Sequence, residues 1–545
     1  MIKVSFSALL VCSLVISCRE NTRETIIPNI SESSLRKHVA VLSSDEFQGR
    51  KPFTEGEEKT TAYLESRFKE YRLEPGNKGY YFQQVPLVEL TARPSEKMIV
   101  KNDREQIELA LYDEFIIYNE KVKAATFLEG SDLVFAGYGI VAPEYDWNDY
   151  EGLDVEGKTV IVLVNDPGFA SDDSTFFKGE TMTYYGRWTY KYEEAARQGA
   201  AGCLIVHETV PAGYPWLVVR NSWSGASLFL DQSGDDFQPD ILGWLTRDAA
   251  IKLFKASGKS ISNFSAQAKD QDFKAIPLDL QISAGVENGI VKDVSKNVIA
   301  MLEGSKRPDE VIIYSAHWDH LGIGNPIDGD SIYNGAHDNA SGIATLLGIA
   351  EAMANGPQPE RSIVFMAVTA EEQGLLGSKH YAAYPIFPPE KTVANINMDG
   401  ITTFGKMRDV TVVGYGQSEL EDIVEKLAKK QDRYINPDPD PGKGYFFRSD
   451  HFQFAKIGIP AFYGSGSYDH MTKGEAYVDS LNQIYLTEKY HRPQDEYLES
   501  SWTFDGMALD GELLMQLGYA LANSEDWPEW KQGSEFKSIR EASRK

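Results

Sequence analysis

Cysteine is scarce in this chain: three residues in 545, at positions 12, 18 and 203. That excludes a disulfide-stapled scaffold and a cysteine zinc site. Cys203 lies alone in the apolar run Ala200–Val206 and reads as a small buried hydrophobe. Positive charge is short as well, with 54 Lys and Arg against 81 Asp and Glu, a formal net charge of -27. A phosphate backbone needs a basic footprint, so no nucleic-acid partner is expected. Several catalytic signatures are missing. His207-Glu208 runs on into Thr209-Val210-Pro211, so there is no His-Glu-x-x-His. There is no Gly-x-Ser-x-Gly elbow, no P-loop and no dinucleotide fingerprint. No internal repeat is visible.

Apolar material is sufficient: 42% hydrophobic against 25% charged residues describes a globular chain with real cores. The length implies two or three domains. Residues 1–17 read as a signal peptide, with Lys3 ahead of the short apolar run Val4–Ile16. That run is too short for a membrane span. Val15-Ile16-Ser17-Cys18 resembles a bacterial lipobox, which implies an exported envelope lipoprotein held to the membrane only through a lipid on Cys18. Residues 18–30 are a polar tether. Residues 31–93 hold helices, with Leu35, Val39 and Leu42 in helical period. Residues 94–285 form a separate α/β or mostly β module, with strand-like runs at Asp132–Ala136 and Lys158–Val164. Residues 526–545 read as a polar, loosely attached tail.

In residues 286–525 strands and helices alternate. Val311–Ser315, Arg361–Thr369 and Thr392–Met398 read as strands, and Ser341–Met353 as an apolar helix. The expected fold is α/β: a mixed, mostly parallel sheet sandwiched by helices. In such sheets ligands bind beyond the carboxyl ends of the strands. There stand His317-Trp318-Asp319-His320, His337-Asp338, Glu371-Glu372 and Asp399. Each has an ordinary explanation alone: a core histidine, a helix cap, an acidic first turn, a turn before Gly400. All of them at one sheet edge are better explained by a bound cation, since unpaired buried acids cost several kcal/mol each. Imidazole and carboxylate are catalytic zinc ligands. One histidine and three carboxylates exceed one ion and suit two, with a second histidine from among His451, His470 and His491.

Five segments then resemble the zinc aminopeptidases of peptidase clan MH. They are Ser315–Gly322, Asn334–Gly342, Thr369–Ser378, Asn397-Met398-Asp399 and Tyr490-His491-Arg492-Pro493-Gln494-Asp495. The family includes leucyl-type aminopeptidases, glutamate carboxypeptidases, glutaminyl cyclases and the inactive transferrin receptor. The resemblance implies two Zn2+ per chain: one on His317 and Asp399, one on Glu372 and His491, with Asp338 bridging. It implies Asp319 as the carboxylate orienting His317, Glu371 as general base and Tyr490 as an oxyanion stabiliser. It implies peptides as substrates and favours His491 over His451 and His470. His337 departs from the family, which often has an acid there, and its side chain is expected to point away from the metals. Val134–Ile140 and Gly199–Gly202 resemble an inserted protease-associated domain. Rival functions on the same fold are a glutamate-type carboxypeptidase or dipeptidase, a glutaminyl cyclase, and a binding protein without activity.

Overall fold

The computed structural model describes residues 27–222, 225–231 and 238–544. The signal peptide and the acylated Cys18 expected from the sequence lie outside the described residues. The central sheet uses β1 (Phe82–Pro94), β2 (Ile276–Leu302), β3 (Arg307–His317), β4 (Arg361–Val368), β5 (Thr392–Asn397), β6 (Asp409–Val412), β7 (Tyr434–Pro437) and β8 (Ala461–Ser465). Their order across the sheet is β1-β2-β4-β3-β5-β8-β6-β7. β4, β3, β5 and β8 run parallel, so their carboxyl ends share one edge.

Side chains along β3 alternate between two cores. Ile312, Tyr314 and Ala316 join one with α1 (Glu32–Leu42), α2 (Glu55–Glu70), α3 (Ser341–Ala354) and α6 (Asp505–Ala522). Val311 and Ile313 join the other, with Tyr381 of α4 (Leu376–Ala383) and Phe454 of α5 (His451–Lys456). A strand buried on both faces reads as a continuous apolar run and needs helices on both sides. Each large apolar side chain hidden this way contributes roughly 1.5–3 kcal/mol. The result is the mixed, mostly parallel helix-flanked sheet the sequence implies. Among the described residues no helix is long and apolar enough to cross a membrane.

β1 and β2 pair without interruption from Phe82↔Val298 to Pro94↔Val286. Residues 94–285 hang from the far end of this ribbon and bury two apolar clusters of their own. Leu133–Phe135, Thr159–Leu163, Gly202–His207 and Ile241–Thr246 run parallel there. Helices Trp188–Arg197 and Arg247–Ala256 accompany them, so the module is mixed α/β with strand predominating. Cys203 is buried within it.

The C-terminal tail is not loosely attached, contrary to its polar composition. Trp530 and Phe536 are buried against Phe446 and Phe452. The Trp530 indole donates to the Gly458 carbonyl at 2.9 Å, and Arg540 donates to the carbonyls of Pro389 (2.7 Å) and Thr392 (2.9 Å). Two aromatic rings and one arginine anchor the segment, and the charges between them mask that in composition.

Candidate metal centre

Three strand ends deliver the acids. β3 ends at His317, and Asp319 follows two residues on. Beyond β4, Ala370 takes a left-handed φ of 52° and turns Glu371 and Glu372 towards Asp319. Asp319 Oδ1 accepts the Glu371 amide at 3.0 Å, and Oδ2 the Glu372 amide at 3.4 Å. Asp319 also lies against His317, with its carbonyl oxygen 3.2 Å and its Oδ1 3.7 Å from Nδ1. Asp399 follows β5. Ser449 donates to Asp399 Oδ2 at 2.6 Å and is itself fixed by Asn397 at 2.8 Å.

His317 Nε2 stands 3.3 Å from Asp338 Oδ1 and 3.3 Å from Asp399 Oδ1. His491 Nε2 stands 3.4 Å from Asp338 Oδ2 and 3.1 Å from Glu372 Oε2. Two ligands about 2.0–2.2 Å from one tetrahedral ion lie roughly 3.3 Å apart. All four gaps have that spacing, and Asp338 offers one oxygen to each side. The chemistry of the donors therefore fits a pair of zinc-type cations. Glu371 Oε2 lies farther off, 4.0 Å from His317 Nε2.

A second histidine also reaches Glu372. His320 Nδ1 is 2.5 Å from Glu372 Oε1, and His320, Asp338 and Glu372 form one compact donor group while His317, Asp338 and Asp399 form the other. A separation of 2.5 Å is a direct hydrogen bond and leaves no room for an ion between the atoms. His491 therefore suits the ligand role and His320 the role of orienting Glu372. His451 is elsewhere, packed on Phe446 and Tyr463 at ring distances of 4.6 and 5.0 Å. His470 packs on Tyr477 at 5.4 Å. The His337 ring lies on Phe404 (6.3 Å) and Tyr485 (4.6 Å). Tyr490 is partly exposed and its ring stacks on His491 at 3.9 Å.

The electrostatics call for positive charge. Burial works against a charged His317, yet Glu371, Asp399 and Asp338 hold its pKa well above the ordinary value. His491 is likewise raised, against burial, by Glu372 and Asp338. Burial and Asp338 would raise Glu372, but His491 and His320 bring it down to about 2. Asp338, despite burial, is held well below the carboxylate range by His317 and His491. Asp319 is pushed up to about 7, chiefly by burial, and Glu371 well above its usual value for the same reason.

Some supporting residues carry little sequence signal. Asp495 accepts the amides of His337 (3.0 Å) and Asp338 (3.1 Å) and so fixes the loop bearing Asp338. Arg50, fully buried, donates to the carbonyls of Leu42 (2.7 Å), Trp318 (2.9 Å), Asn334 (2.6 Å) and Gly335 (2.9 Å). It thereby ties together the loops carrying His317 and Asp338.

Residues 297–511 match the model of Peptidase family M28. The chain is 26% identical over 339 residues to aminopeptidase YwaD of Bacillus subtilis, covering 60% of each protein. It is 30% identical over 198 residues to mouse aminopeptidase NAALADL1, covering 34% of this chain and 25% of that one. The chain thus matches a quarter to three-fifths of these relatives' lengths. The solved aminopeptidase from Aneurinibacillus sp. strain AM-1 shares 18% identity, with 92% of this chain and 97% of that one covered and a TM-score of 0.47.

Proposed function

We propose, from the match of residues 297–511 to the model of Peptidase family M28, that this protein is a two-zinc aminopeptidase that removes N-terminal residues from peptides. One observation carries the reading: the ligand-like gaps of 3.1–3.4 Å that set His317 and His491 on opposite oxygens of Asp338. On this reading His317 and Asp399 would hold one ion, Glu372 and His491 the other, and Asp338 would serve both. Zinc bound there supplies Lewis acidity that polarises a carbonyl and acidifies water.

The chain's own groups do the rest. Asp319 keeps His317 oriented and, through two backbone amides, holds Glu371 and Glu372 in place. Glu371 stands just outside ligand distance, free to accept the proton of the attacking water and return it to the leaving amine. Burial first, and then the charges of Asp399, Glu372 and Asp450, raise Glu371 against the pull of His317. Cations on the neighbouring ligands would draw it back towards the range where it can both take and give a proton. Tyr490, stacked on His491, would steady the oxyanion. The 94–285 module, as a protease-associated domain, would cover the entrance. Export with an acylated Cys18 belongs to the same proposal, and lipid labelling lost in Cys18→Ala would test it.

A panel of aminoacyl anilides with free and N-acetylated amines tests the activity. Turnover of the free-amine set, abolished by chelation and restored by zinc, is expected. Equal turnover of the blocked set would overturn the aminopeptidase assignment.

A further inference from the structure

A cavity of about 870 Å3 opens between the 94–285 module and the sheet edge. Glu371, Glu372 and His491 line it from the sheet side. Two arginines line it as well: Arg187, just before the module helix Trp188–Arg197, and Arg448, just before α5. Arg448 adjoins Ser449, whose hydroxyl holds Asp399 at 2.6 Å, so it stands at the rim of the metal ligands.

Neither guanidinium is neutralised. The Nε of Arg187 and the Nε of Arg448 are buried and have no hydrogen-bond partner among the described residues. Arg448 donates one Nη to the Lys443 carbonyl at 2.7 Å and lies over the Tyr445 ring; Arg187 lies over Trp188. No carboxylate among the described residues forms an ion pair with either. Three other cations of the cavity differ: Lys456 is held by Glu193 at 2.8 Å, Lys121 by Asp240 at 2.7 Å and Lys292 by Asp231 at 2.9 Å. Burial, and then repulsion from Arg448, lowers Arg187 to about 10. In a chain of net charge -27, two arginines that share a cavity and pair with none of its acids are free to take an anion from outside.

The planar fork of a guanidinium matches a carboxylate, and charged hydrogen bonds of this kind are the strong ones. The geometry points to a carboxylate-binding subsite in which Arg187 and Arg448 together grip an acidic group of the peptide substrate near the cleaved bond. The inference rests on the peptidase reading above. It makes the module part of substrate selection, since Arg187 belongs to it. The carboxylate comes either from the free C-terminus of a short peptide or from an acidic side chain.

Zinc-loaded protein should be assayed on Leu-Gln, Leu-Gln-amide and Leu-Glu-amide. A C-terminal carboxylate predicts Leu-Gln cleaved at least about tenfold better, in kcat/KM, than its amide; a side-chain carboxylate predicts the same advantage for Leu-Glu-amide. In either case Arg187→Met and Arg448→Met should cut that preference about ten- to a hundredfold, mainly through KM, with the Lys variants recovering part of it. Thermal midpoints matched to wild type establish that the variants are folded. A preference within about twofold of unity, or an equal loss on all three peptides, would overturn the subsite while leaving the peptidase reading intact. If no peptide is cleaved, that reading fails, and calorimetric binding of glutarate to metal-free protein then decides. Binding lost in both Met variants supports the subsite; no binding, or binding equal in all three proteins, rejects it.

Discussion

His491 Nε2 lies 3.1 Å from Glu372 Oε2, the separation kept by two ligands of a single tetrahedral ion. His320, a fully buried neighbour, touches the other oxygen of the same carboxylate at 2.5 Å, the length of a direct hydrogen bond. One acid thus meets two histidines in two different ways, and under the two-zinc proposal the difference gives His491 the ligand role and His320 the orienting one.

That assignment is checked by metal content. His491→Ala should bind one zinc tightly instead of two. His320→Gln should keep both, with affinity for the second weakened about 10–100-fold, as for partners that orient ligands. Inductively coupled plasma analysis after dialysis measures both; one zinc in His320→Gln with two in His491→Ala would reverse the roles.

Glu371→Gln should keep zinc and fold but lower kcat at least about a hundredfold, the contribution expected of a positioned base. The substitution preserves size and the amide held by Asp319. Steady-state kinetics on an aminoacyl anilide, with zinc content measured in parallel, checks it. A wild-type rate would remove Glu371 from the mechanism.

Much of this centre was legible in sequence because parallel strands bring their carboxyl ends to one edge. His317, Glu372 and Asp399 each sit at or just past such an end, and Asp338 lies in the turn that leads into the helix Ser341–Ala354. His320 was not separable from His317 and Asp319 within one short motif, because its role depends on which way its ring turns. Asp495 stands inside a segment that the sequence singled out, but its role, like that of Arg50, is played on backbone atoms of distant loops, and such a role has no side-chain signature. The tail misled for a related reason: three side chains fix it, and composition averages them away. The Arg187–Arg448 cavity depends on how the 94–285 module meets the sheet, which strand periodicity does not encode.

Arg50→Met should destabilise the protein by at least about 3 kcal/mol, since four buried carbonyls lose their donor. Arg50→Lys should recover little, because an ammonium cannot span four acceptors set for a planar fork. Urea unfolding midpoints check both; a Lys variant as stable as wild type would show that only the charge matters.

Acid sensitivity should arise partly at His38 of α1, which is not among the candidate metal ligands. Its ring lies buried between the hydroxyls of Tyr63 (2.7 Å) and Tyr71 (3.0 Å). Burial first, then Lys37 and Arg67, lower its pKa from 6.5 to about 4. The unfolded chain therefore takes the proton before the folded one. The stabilisation is whole above about pH 6.5, declines as pH falls and is exhausted below about pH 4, amounting to at most about 3 kcal/mol. His38→Gln should flatten the urea-midpoint profile across that window; an unchanged slope would exclude His38 as the source.

The most direct measurement is anomalous diffraction at the zinc edge from crystals of the zinc-loaded protein. Two peaks are predicted, roughly 3.5–4 Å apart, one between His317 and Asp399, the other between Glu372 and His491, with Asp338 touching both. A single peak, or a second peak on His320 with His491 turned away, would contradict the two-ion centre.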